Sequence, residues 1–239
     1  MKRILLATVA FAALGSVTSA SAADLAPRPY TKAPPMVAAV YDWTGFYIGA
    51  SGGYAWGRTR WQYALAPGVN TNHDSDGGFV GGQVGYNWQS GGWVFGLEGD
   101  AHWADISGAT LCPNPVYTCD TDVRTLATLR ARVGYAAGPV LFYGTGGGAY
   151  ADTRYSATTP GGPNFAYNSD RWGYAAGAGI EWGFAPNWSA KVEYMHYGFE
   201  GVTAPAGAVG GGPADLNTRL DTVKVGINYR WGSPVVARY

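Results

Sequence analysis

The chain has 239 residues, with 16 basic and 16 acidic side chains and a formal charge of zero; it holds 37 Gly, 17 Tyr and 10 Trp but three Met. An even charge balance gives no electrostatic footprint for nucleic acid. Abundant aromatics and glycine without a long amphipathic helical stretch exclude a helical domain and point to β structure.

The first 22 residues have the layout of a secretory signal: basic Lys2 and Arg3, an apolar run from Ile4 to Leu14, and the small residues Ala20-Ser21-Ala22 before the cut. That run is shorter than the roughly 20 residues of a membrane-crossing helix, which argues against an anchor. The mature chain is expected to start at Ala23, with 14 basic against 16 acidic side chains. Residues 23–42, with Pro27, Pro29, Pro34 and Pro35, read as an extended periplasmic lead-in. Residues 43–239 then form one domain.

Side chains alternate across a strand, so each segment separates into two faces. In 43–57, Phe46, Ile48, Ala50, Tyr54 and Trp56 oppose Tyr47, Gly49, Ser51 and Gly53. In 78–89, Val80, Val84, Tyr86 and Trp88 oppose Gln83, Asn87 and Gln89. In 92–105, Trp93, Phe95, Leu97, Ala101 and Trp103 oppose Glu98, Asp100 and His102. In 122–136, Val123, Thr125, Ala127, Leu129, Ala131, Val133 and Tyr135 oppose Arg124, Thr128, Arg130 and Arg132. Segment 139–153 sets Val140, Phe142 and Tyr150 against Tyr143 and Thr145. Segment 171–184 sets Trp172, Tyr174, Ile180, Trp182 and Phe184 against Arg171 and Glu181. In 188–199, Trp188, Ala190, Val192 and Tyr194 oppose Lys191 and Glu193; in 219–231, Val223, Val225, Ile227, Tyr229 and Trp231 oppose Lys224, Asn228 and Arg230. One face is thus expected to carry no charge in any of the eight segments.

Short turns at Ser90-Gly91, Ala137-Gly138 and Pro186-Asn187 alternate with long polar stretches at 58–77, 106–121, 154–170 and 200–218, taken as external loops. Eight strands with this asymmetry describe an all-β, antiparallel up-and-down transmembrane barrel with a periplasmic N-terminus, in the outer membrane of a Gram-negative cell. Cys112 and Cys119, placed in a loop, are expected to pair in an exported protein.

A soluble barrel with its apolar face inward around a ligand would show the same alternation. The aromatics separate the two. Trp88, Trp93, Trp182, Trp188, Tyr229 and Trp231 stand beside the short turns, and Trp56, Trp103 and Trp172 toward the opposite ends, two belts suited to two lipid–water boundaries. The inward set of Glu98, Asp100, Arg124, Arg130, Arg132, Glu181, Lys191, Glu193, Lys224 and Arg230 is then expected to fill a narrow lumen as a plug. A wide channel is disfavoured.

Catalytic-looking strings have plainer readings. Gly49-Ala50-Ser51-Gly52-Gly53 matches a hydrolase elbow by letter but lacks its strand-to-helix context, and Gly144 to Ala149 imitates a dinucleotide loop with no helix after it. His196 would sit where a barrel lipid deacylase keeps its base, yet Gly198 stands where the serine is needed. No catalytic, metal or cofactor site is expected; the histidines are scattered.

Trp43 to Gly57, the hairpin Tyr86 to Asp100, Leu126 to Ala136 and Lys224 to Trp231 together resemble the small outer-membrane immunogenic proteins of alphaproteobacteria, opacity-porin-like barrels. The resemblance covers residues 43–239. It implies a surface barrel that supports envelope integrity and meets lipopolysaccharide, host cells or antibodies, with a small-solute porin or a hemin-binding receptor as alternatives. Gly226, Tyr229, Trp231 and the final Tyr239 look like the terminal signal read by the barrel-assembly machinery, which implies that machinery and periplasmic chaperones as partners.

Overall fold

A computed structural model describes residues 41–63, 70–112, 116–162, 164–205 and 213–231. The signal segment 1–22, residues 23–40 of the Pro-rich lead-in, and Tyr239 lie outside the described residues. The strands are β1 (Gly45–Tyr63), β2 (Asn70–Ser90), β3 (Trp93–Leu111), β4 (Thr118–Ala137), β5 (Val140–Thr158), β6 (Phe165–Ala185), β7 (Trp188–Phe199), β8 (Val202–Ala204) and β9 (Ala214–Trp231). Every neighbouring pair is antiparallel, and β1 pairs with β9, so eight strands close into a ring. The three-residue β8 takes up on β9 at Leu216, beyond Arg219, the last β9 residue paired with β7.

The turns fall one residue later than expected at two hairpins. Gly91-Gly92 and Gly138-Pro139 lie between the strands, with Gly91 at φ 60° and Gly138 at φ 61°. A glycine with positive φ at the first central position matches the twist of the flanking strands, whereas a residue with a Cβ would be strained there.

The long connections differ from expectation more substantially. Most of the described residues in 58–77, 106–121, 154–170 and 200–218 are strand, not loop, and β2 and β6 reach 21 residues each. About 9–11 residues suffice to cross a bilayer. The wall therefore continues past the external belt, because alternation continues there: Thr59 and Trp61 point inward while Arg58 and Arg60 point out. Cys112 follows β3 directly and Cys119 lies within β4, so the Cys112–Cys119 disulfide staples the end of a hairpin rather than a free loop.

Two bulges alter the face pattern. The β3–β4 register shifts between Trp103 and Ile106, and the β4–β5 register between Val123 and Thr125, leaving Arg124 as the extra residue. Beyond the bulge the parity reverses: Ile106 and Val123 are buried inside, and Arg124 is exposed. The assignments of Arg124 to the lumen and of Val123 to the outer face are thereby corrected.

Between the belts the outer face is apolar and open, with Val80 62%, Leu97 51%, Leu129 69% and Val225 58% exposed. The expectation of a charge-free outer face holds there and fails at the external ends, where Asp105, Asp152, Arg219 and Asp221 stand on the outer side. A girdle of this extent requires hydrocarbon around it. Placing Arg at Leu129 should cost about 2–4 kcal/mol near the midplane. Urea unfolding from lipid vesicles checks this, and a neutral Leu129→Arg would mean that the face does not meet lipid.

Candidate functional site: a filled lumen

The inward side chains form stacked layers. At the periplasmic mouth Trp43, Val94, Leu141 and Tyr143 pack together, joined by Tyr41. Arg230 sits here, its guanidinium 4.7 Å from the Tyr41 ring centre and 4.8 Å from that of Trp43, donating to the Asp42 carbonyl at 2.8 Å. It is held by two aromatic faces, the Asp42 carbonyl and the Tyr41 hydroxyl, with no carboxylate partner among the described residues.

The middle layer brings together the other eight lumen residues. Arg130 donates to Glu98 at 2.5 Å, to Asp100 at 2.6 Å and to Glu193 at 2.9 Å. Arg132 pairs with Glu181 at 2.7 Å and Lys191 with Glu98 at 2.7 Å, while Lys224 bridges Asp100 and Glu193, each at 2.9 Å. Four cations face four anions, all nearly sealed from solvent. The remaining lone pairs are also used: Tyr47 donates to Glu98 at 2.8 Å, Tyr143 to Glu193 at 2.7 Å, Ser189 to Glu181 at 2.6 Å and Thr128 to Asp100 at 2.8 Å. The Arg132 guanidinium lies 3.9 Å above the Tyr143 ring centre. Space for these long side chains comes from inward glycines; a Cβ on Gly179 would stand 2.6 Å from the Tyr143 ring.

Sequence reading placed Tyr47, Ser51 and His102 inward but missed their part in this layer. His102 Nε2 is 2.9 Å from Ser51 Oγ, and His102 Nδ1 is 3.6 Å from Asp100. The order is that of a hydrolase triad. The chemistry is not: the Ser51 hydroxyl donates to Gln83 Oε1 at 2.6 Å, Asp100 is taken up by Arg130 and Lys224, and all three residues are buried in mid-strand.

Toward the outside an apolar layer follows, including Phe79, Ile106, Leu126, Met195 and Leu220. Above it Trp61, Tyr155, Leu216 and the Cys112–Cys119 bridge form a second cluster beneath Tyr117 and Phe165. Arg171 ties this cap together, donating to the Tyr155 hydroxyl at 2.6 Å and to the Glu200 and Leu216 carbonyls at 2.5 and 3.1 Å. His73 is buried between these layers, 3.0 Å from Thr121 Oγ1. Burial holds its imidazole below the ordinary value, with Asp74 opposing.

The belt residues are on the outer surface: Trp56, Trp88, Trp93, Trp103, Trp172, Trp182, Trp188 and Trp231 are exposed by 42–78%, and Tyr229 is half-buried beside Trp188 and Trp231. Gly226 is inward on the same strand. His196 lies on the outer face, 2.8 Å from Asp221.

An apolar exterior around a charged, closed interior defines a transmembrane β-barrel. A family model, the outer membrane protein beta-barrel domain, matches residues 8–230, and the chain belongs to that family, whose place is the outer membrane. The 31 kDa outer-membrane immunogenic protein of Brucella melitensis biotype 1 is 34% identical over 97% of this chain and 100% of its own length. The 25 kDa outer-membrane immunogenic protein of Brucella canis is 30% identical over 90% and 92%. Among solved structures, OprG from Pseudomonas aeruginosa covers 80% of this chain and 100% of its own at a TM-score of 0.47 and 11% identity.

Removing one charge from the middle layer leaves its partners buried without compensation. Glu98→Ala should destabilise the barrel by about 3–5 kcal/mol, read as a lower unfolding midpoint in detergent. The external cap should respond to pH. The unfolded chain protonates His73 near 6.5 and the folded one below it, so the stability from neutral His73 is complete above that value and lost as pH falls through it. Protection of the amides around Thr121, with the intrinsic pH dependence of exchange divided out, should fall between pH 7 and 5, and His73→Gln should flatten that dependence.

Proposed function

We propose that the protein is a structural, non-conducting barrel that contributes to envelope integrity and presents its external rim to lipopolysaccharide, host cells and antibodies. The observation that carries this reading is the lumen itself. A charge-balanced layer fills the middle, and an apolar layer follows it on either side. Moving a hydrated solute through would require breaking paired charges and wetting apolar side chains in series. The tall outer wall and disulfide-stapled hairpin support a role in surface contact, and the relatives named immunogenic support exposure to antibodies. Tyr229 and Trp231, side by side on the last strand of the ring, suit recognition by the assembly machinery, with periplasmic chaperones carrying the chain to it.

Liposome swelling and planar-bilayer recording on refolded mature protein test the non-conducting reading. The expected result is solute exclusion equal to protein-free vesicles and no steady conductance. Sugar-permeable liposomes or large regular current steps would establish a porin instead.

A further inference from the structure

One side of the barrel carries a feature that the lumen does not explain. Just outside the Tyr54 and Trp56 level, Arg58 of β1 is paired directly with Arg219 of β9 across the ladder, and Arg60 follows on the same face. Like charges directly opposite each other destabilise a sheet. Among the described residues a single carboxylate pairs with them: Asp74 on β2 takes Arg58 at 3.0 Å. Arg60 reaches the Asn72 side chain at 3.4 Å, and neither it nor Arg219 has an ion pair among the described residues. The other cross-strand neighbour of Arg219 is Gly198, over which the Tyr174 ring lies.

Acidic groups share this side of the wall. Tyr54 donates to Asp76, and Asp221 accepts from Tyr194 at 2.7 Å and lies 2.8 Å from His196; Glu200 lines the same groove. These residues line an open groove of about 1500 Å³, with Trp56 and Trp172 at its lower edge. Directly below, on β1, β9, β7 and β6, a second groove of about 760 Å³ runs over Ala50, Gly52, Ala190 and Val225 and is almost wholly apolar. The ladder joins them: Gly52 is opposite Val225 and Val225 opposite Val192, one step below the Tyr54–Val223–Tyr194 row.

Three arginines on the outer-leaflet side, in a groove they share with four carboxylates and standing over an apolar furrow within the bilayer, have the form of a lipid site. We infer that Arg58, Arg60 and Arg219 bind the phosphate of a phosphorylated outer-leaflet glycolipid, with one acyl chain lying over Ala50 and Gly52. Guanidinium forks suit phosphate oxygens, and an anion between Arg58 and Arg219 removes their repulsion. The inference rests on the reading that the apolar face is embedded in the outer membrane, and it places lipid contact on the barrel wall rather than on loops.

The test is native mass spectrometry of refolded mature protein with bisphosphorylated lipid A, its dephosphorylated form, and phosphatidylglycerol. Bisphosphorylated lipid A should bind more than about tenfold tighter than either of the others, and Arg58→Gln/Arg219→Gln should remove that preference. Ala50→Phe, which fills the furrow, should weaken all three lipids. Inorganic phosphate at millimolar concentration should not compete. Equal binding of the phosphorylated and dephosphorylated forms, an unaltered double variant, equal binding of phosphatidylglycerol, or displacement by free phosphate would each overturn the assignment. Vesicle insertion and the heat-dependent gel shift of the same samples are read alongside: normal insertion with no lipid preference defeats the site alone, and failure of wild type to insert defeats the membrane reading.

Discussion

Eight charged side chains, four of each sign, are enclosed with almost no exposure to solvent, and every one of them has a partner of opposite sign. Burying an isolated ion costs several kcal/mol even after relaxation, and that cost is offset only when geometry and hydrogen bonds are good on all sides. Here the partners come from five different strands. Arg130 on β4 meets carboxylates from β3 and β7, and Lys224 on β9 meets the same two strands. The ion layer therefore fixes the register around the ring as well as filling it.

The outside faces the opposite solvent. Strand alternation sends Leu97, Leu129 and Val225 into hydrocarbon from the same strands that send Glu98, Arg130 and Lys224 inward. Ring closure removes the unpaired edges that a bilayer would not tolerate. Above the membrane the same wall continues around an apolar cap, and the outer face there becomes charged. One architecture thus meets three environments, and the change from apolar to charged on its exterior marks where the lipid ends.

Period-two reading recovered the strand cores and both faces through the membrane because one face there is uniformly apolar. It lost accuracy where that contrast ends. Segments such as Arg154 to Thr158 are polar on the outside with only Tyr155 and Ala157 inside, so they read as loop although they are strand. Arg124 was assigned inward because a bulge adds one residue to β4 relative to β5, and alternation carries no mark of it. Which carboxylate meets which cation depends on register between strands far apart in sequence; Lys191 and Glu98 are 93 residues apart. The capture of Arg230 by Tyr41 and Trp43 was similarly hidden, since those aromatics precede the first strand.

The claim at the centre of this account is that paired charges inside the lumen hold the barrel, and Arg132 with Glu181 offers a clean pair for a double-mutant cycle. Unfolding free energies in detergent micelles would be compared for wild type, Arg132→Met, Glu181→Gln and the double variant, which restores neutrality. Coupling above about 1 kcal/mol, with the double variant less damaged than the sum of the singles, is the predicted result. Strict additivity, or single variants as stable as wild type, would show that the ions are passengers in a barrel held by other means.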